Sequence, residues 1–264
     1  MPIPNFNIDI NQLELYLLVF FRISAMLMVL PFFNSRNIPV IFKAGLAVSM
    51  SVLMLPLLQG IHVNLTENVL TLALGLLGEV AIGVTIGLSV QMLFSGIQMA
   101  GQLVGFQMTF SIANIMDPSN DMQIPLLSQF YHIMAMLIFL ATNAHHQLLT
   151  TLSKSFTLIP PLGFHFHQEL VEQVMTLAGN MFVIAIQLGA PIIIILLLTT
   201  VAMGIMARTV PQMHIFIVAM PLKIAIGFIF MGLALPHMSA FMSRLFASTS
   251  ETILLLLALS RGDV

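Results

Sequence analysis

The sequence predicts an all-α, polytopic membrane-type protein of about six long helices arranged in hairpins. Three observations lead there. Of 264 residues, 59% are hydrophobic and only 7% charged, against roughly a quarter charged in soluble domains. Mean hydropathy is +1.04. The apolar residues gather into runs that reach the roughly 20 residues needed to cross a bilayer.

Taken in order, the runs are Leu13–Phe33, Val40–Leu58, Val69–Phe94, Leu126–Leu149, Asn180–Met206 and Met213–Leu235. Thr252–Leu259 is too short to span and is expected to end an amphipathic tail that starts at Met238. The longest polar connector, Ser153–Thr176, holds Pro160, Pro161, His165, His167, Glu169 and Glu172, and is the natural boundary between two helical parts. Pro31, Pro56, Pro191, Pro221 and Pro236 are expected to interrupt or end the runs, freeing backbone groups that a neighbour must satisfy. Gly75, Gly78, Gly83 and Gly87 give the third run small surfaces for tight helix contact.

Residues 101–118, between the third and fourth runs, read as an irregular segment. Glycines at 96, 101 and 105, then amides, hydroxyls and a closing Asp117-Pro118, make a poor lipid-facing helix. Irregular backbone at membrane depth survives only where it is buried in protein or lines a cavity, so the segment marks a place where something passes or is blocked.

Arg22, Glu79 and Lys223 fall near the middle of runs, where an ionised group costs roughly 2.5–3.5 kcal/mol on insertion scales. They are expected to be buried charges held by protein, Glu79 pairing with Arg22, Lys223 or a partner's base. A proton-relay role for Glu79 is the alternative. With only eight Lys and Arg, the positive-inside bias places the first connector (Arg36, Lys43) in the cytoplasm; strict six-span alternation then divides the loop bases three against three.

Other classes find no support. A net charge of −2 provides no basic surface for nucleic acid, and the absence of Cys removes thiolate chemistry and disulfides. No secretory signal is read at the start. His145-His146 and His165-x-His167 have ligand-like spacing without a convincing third ligand, so no metal is expected. No nucleophile–base order, phosphate loop or acid pair emerges; neither enzyme activity nor a cofactor is expected.

Taken together, certain residues carry a resemblance. Phe21-Arg22, Pro31-Phe32, Pro39 and Lys43-Ala44 come first; then Gly101-x-x-x-Gly105-x-Gln107-Met108, Ser111 and Asp117-Pro118; then Arg208-x-x-Pro211-Gln212-x-x-x-Phe216 and Pro221-Leu222. Along essentially its full length the chain resembles the FliR family, the R component of the flagellar type III export gate, whose virulence counterpart is the SctT family. Thr109-Phe110 departs from the Gly-Leu of many members.

The resemblance implies a P-like helical part (residues 1–176, with the gate segment 101–118) followed by a Q-like hairpin and C-terminal tail (177–264), Gly189 to Lys223 resembling the Q-type hairpin. It implies one copy joined to several P- and Q-type subunits, with B-type switch and A-type export subunits alongside. The expected site is the bacterial inner membrane, in the flagellar basal body, with the assembly projecting on the periplasmic side. The substrates would be unfolded flagellar export proteins.

On that reading Phe106, Met108, Phe110, Ile112, Ile115 and Met116 line an apolar plug that closes by dewetting, framed by Gly101, Gly105, Gln107, Asp117 and Pro118. Simple interior packing of these side chains is the alternative. An ion-coupled secondary transporter and a nucleator that templates rod assembly without gating remain the rival functions.

Overall fold

The computed structural model describes residues 10–33, 38–58, 69–109, 125–209 and 215–260, and among them every regular element is helical. The helices are α1 (Ile10–Val29), α2 (Val40–Met54, followed by a 3-10 turn at Leu55–Leu58), α3 (Val69–Gln107), α4 (Leu126–Ala141), α5 (Ala144–Leu158), α6 (Gln168–Thr209) and α7 (Ile215–Leu259). Proline punctuates several of them. Pro39 and Pro125 sit in extended backbone directly before α2 and α4, where their missing N–H costs nothing. Pro31 lies just beyond α1, and Pro56 lies in the turn that ends α2.

Four boundaries differ from the sequence reading. α3 does not stop at Phe94 but continues through Gly96, Gly101 and Gly105 to Gln107. Each helical glycine costs about 1 kcal/mol of propensity, but close neighbours offset it: a Cβ at Gly96 would lie 2.8 Å from the Met181 carbonyl oxygen, and one at Gly101 2.8 Å from that of Leu127. The fourth run is two helices meeting at a 68° bend. Asn143 takes a left-handed φ of 55° there, a conformation Asn tolerates, and the Thr142 hydroxyl donates to the Ile138 carbonyl at 2.8 Å.

Only residues 159–167 of the polar connector are non-helical, and Glu169 falls in the first turn of α6, where it suits the helix dipole. The stretch from Met238 onward is no separate tail: α7 runs through Pro221 and Pro236 to Leu259, and α6 runs through Pro191. Proline inside an apolar helix is tolerated where neighbouring groups satisfy the freed backbone.

Among the described residues, three helical stretches are long and apolar enough to cross a membrane: Leu72–Gln107, Gln168–Thr209 and Ile217–Leu259. The bent α4–α5 pair makes a fourth if it counts as one span, whereas α2 is shorter. The chain is thus a polytopic helical membrane protein.

By compactness it divides into two units, each discontinuous in sequence. The first takes Met1–Gln91, His145–Thr176 and Ser248–Val264, and the second Met92–Ala144 and Leu177–Ala247. In the first, Leu18, Ile23, Met26, Ile86, Leu152 and Leu257 are buried. In the second, Phe94 is packed among Phe139, Phe246 and His132, with ring centroids 5.7, 5.4 and 5.8 Å away. Compactness and descent are different properties, and this division does not speak to the 176/177 boundary between P-like and Q-like parts.

Candidate functional site

Arg22 and Glu79 meet inside the first unit, with side chains 0% and 1% exposed. The pair is bidentate: Arg22 Nε donates to Glu79 Oε2 at 2.5 Å, and Nη2 donates to Oε1 at 3.0 Å. Nη1 donates to the Ser155 hydroxyl at 3.2 Å, and Nη2 also reaches the Ile159 carbonyl at 3.1 Å. The guanidinium lies 4.2 Å from the centroid of the Phe156 ring, a cation–π arrangement. Leu162, its backbone left-handed at φ 70°, donates its N–H to Glu79 Oε1 at 3.4 Å. One guanidinium therefore ties α1, α3, α5 and the turn after α5.

Helix approach makes this reach possible. Glu79, Gly83 and Gly87 recur every four residues on one face of α3. A Cβ at Gly83 would collide with the Arg22 carbonyl oxygen, and one at Gly87 would lie 2.7 Å from Val29 Cβ. Gly75 and Gly78 lie under Leu162 and Phe164. The four glycines thus make close contacts within the chain.

The second site is the end of α3, where the segment expected from sequence to form a gate begins, in the second unit. Three helices grip the end of α3, with a glycine at each contact. Gly101 of α3 is wedged against Leu127 and Ser128 of α4, Gly189 of α6 faces Ala100 and Val104, and Gly227 of α7 underlies Met108. Ser128 adds a hydroxyl bond to the Gln98 carbonyl at 3.1 Å, and the Gln98 amide meets His132 Nδ1 at 2.7 Å.

Of the plug candidates, Met108 is fully buried, whereas Phe106 is 64% exposed. Of the framing residues, Gly101 is buried and Gly105 and Gln107 are half-buried. Phe110, Ile112, Ile115, Met116, Asp117 and Pro118 lie outside the described residues. Thr109 holds a left-handed φ of 63°, with its hydroxyl 2.6 Å from the Met108 carbonyl. That conformation costs an L-residue roughly 1–2 kcal/mol and glycine nothing. Thr109→Gly should therefore raise the stability of the purified protein by up to about 1 kcal/mol, once the entropy of glycine (about 0.5–1 kcal/mol) is subtracted. A drop in thermal midpoint would mean that the hydroxyl bond outweighs the strain.

Lys223 belongs to the second unit, is half-buried, and is paired with no carboxylate among the described residues. His145 and His146 have ring centroids 4.2 Å apart, with the rings tilted at 52° to each other. Among the described residues no three His, Cys, Asp or Glu gather as a metal site would require. Sequence reasoning missed Ser155 and Phe156 of α5 and Ile159 just after it, which complete the Arg22 environment. Apolar Leu152, Phe156 and Ile159 at helical spacing were the signal available. It also missed Gly227, whose role depends wholly on what lies over it.

Comparison with known proteins places this architecture. The sequence pattern of the family described as "Bacterial export proteins, family 1" matches residues 13–249. The flagellar biosynthetic protein FliR of Bacillus subtilis (strain 168) is 37% identical over 257 residues, covering 96% of this chain and 98% of the relative. FliR of Pectobacterium carotovorum is 32% identical over 249 residues (92% and 93%), and FliR of Escherichia coli K12 is 29% identical over 239 residues (90% and 90%). With its helices from α1 into α7 inside the matched region, and both chains covered almost end to end, this protein belongs to family 1 of the bacterial export proteins, the FliR family.

Proposed function

We propose that this chain is the R component of a flagellar type III protein export gate in the bacterial cell membrane, at the flagellar basal body. One copy would join several P- and Q-type subunits in a closed helical channel for unfolded substrates, with B-type and A-type subunits alongside, and would nucleate rod assembly. Residues 1–176 would take the P-like part and 177–264 the Q-like part. Segment 101–118 would limit leakage as an apolar plug. No catalytic step is assigned. The flagellar branch, not the virulence branch, is favoured by relatives that carry the FliR name.

The observation that supports this reading is how little of its own long apolar helices the chain covers. Large apolar side chains of α6 are exposed from Phe182 to Met206, and 33% of the most apolar window of α6 is buried, against 11% of that of α7. Partner helices packed along these faces would cover what the chain leaves bare.

Co-expression with P- and Q-type subunits, followed by native mass measurement, tests the assignment. The expected result is one copy of this chain in a complex with several of each partner. A stable species of this chain alone, with no P or Q retained, would refute it.

A further inference from the structure

We infer that the turn between α5 and α6, residues 160–165, is a strap that opens from the first unit while the ion pair behind it stays closed. The inference does not rest on the proposed export role. The strap is anchored where it begins. Ile159 donates its N–H to the Ser155 carbonyl at 2.9 Å, and its own carbonyl accepts from Arg22 Nη2 at 3.1 Å. Beyond that anchor three contacts hold the turn down. The Leu162 N–H donates to Glu79 Oε1 at 3.4 Å, the His165 N–H donates to the carbonyl of Ser260, just past α7, at 3.3 Å, and Phe164 packs over Gly78. All of these groups belong to the first unit.

What holds the strap is weaker than what lies behind it. Both backbone bonds exceed the usual N–H···O range of roughly 2.7–3.2 Å. Leu162 holds a left-handed φ of 70°, which a residue with a side chain keeps only while its surroundings force it. His165 and the next residue, Phe166, are exposed. Arg22 and Glu79, by contrast, are buried and joined by two bonds of their own. Segments with strained backbone, long bonds and exposed neighbours open before the core does. Gly78 is what lets the strap shut. A Cβ there would lie 2.9 Å from Phe164 Cβ. That atom is bonded directly to the backbone, so no rotation of the ring relieves the contact and the turn itself must lift. Lifting it bares α3 at Gly75 and Gly78 and frees the Ser260 carbonyl. Gly45 of α2, with nothing within 4 Å of an added Cβ, makes the control.

The test is amide hydrogen exchange of the purified full-length protein, corrected for intrinsic rates, in the parent, Gly78→Ala and Gly45→Ala. It is read on the Leu162 and His165 N–H groups and on the amides of α1 around Arg22 and of α3 around Glu79. In the parent, Leu162 and His165 should exchange at one common rate, at least tenfold faster than the two helices. Gly78→Ala should raise both strap rates severalfold and leave the amides around Arg22 unchanged, while Gly45→Ala should match the parent at the strap.

Strap amides no faster than those of the helices overturn the inference, because the turn then opens only with the whole unit. Distinct rates for Leu162 and His165 overturn it too, since the two bonds would not release as one. Gly78→Ala that leaves the strap rates alone, or speeds the amides around Arg22 as much, counts against it equally. If Gly78→Ala does not fold, the rates in the parent decide.

Discussion

Arg22→Ala should destabilise the assembled protein by about 3–5 kcal/mol, the range for removing one partner from a buried ion pair. Glu79 would be left at 1% exposure without its cation, its remaining bond among the described residues a long one from the Leu162 N–H. Glu79→Gln should cost less, because the amide oxygen still accepts from the guanidinium, yet it leaves Arg22 charged and uncompensated. Replacing both, as Arg22→Met with Glu79→Leu, should recover much of the loss, since well-packed apolar pairs often match buried ion pairs. Lys223→Met is expected to change stability by no more than about 0.5 kcal/mol, as for other sites outside a buried network. Yield of assembled complex and its thermal midpoint read all four variants. Arg22→Ala at parental yield and midpoint would show that the pair does not hold the first unit together.

This pair also shows how far the sequence could be read. A charge in the middle of an apolar run demands a partner, so Arg22 and Glu79 stood out, yet spacing alone could not choose between Arg22, Lys223 and an outside base for Glu79. The choice is made by Gly83 and Gly87, which draw α1 against α3, and by Ser155 of α5 and the Ile159 carbonyl just after it. That helix was hidden, since a two-residue break at Thr142-Asn143 barely interrupts the apolarity of the run. Glycines misled in the same way. In sequence, Gly96, Gly101 and Gly105 look like helix breakers, but packed against the backbone of α4 and α6, Gly96 and Gly101 serve as contact points. The two readings share one composition and differ only in what stands opposite. All-helical, membrane-type architecture was plain from composition, because so few charges over so long a chain permit little else.

At the end of α3 the plug candidates divide: Met108 is buried inside the second unit, whereas Phe106 is exposed. Deletion of residues 110–116, or Phe110→Ser with Ile112→Ser, should remove the apolar barrier while α3 and α4 persist. A wetted constriction then conducts. A packing variant separates leak from general damage. Leu152→Ala, at a fully buried position of the first unit, should cost about 2–5 kcal/mol through its cavity and lower assembly without selective leak.

The proposed closure of a protein-export passage by this chain is tested most directly by the ion conductance per assembled complex of the 110–116 deletion, set against the parent. Closure by this segment requires normal assembly with a large rise in conductance; normal assembly at parental tightness would show that the segment does not close the passage.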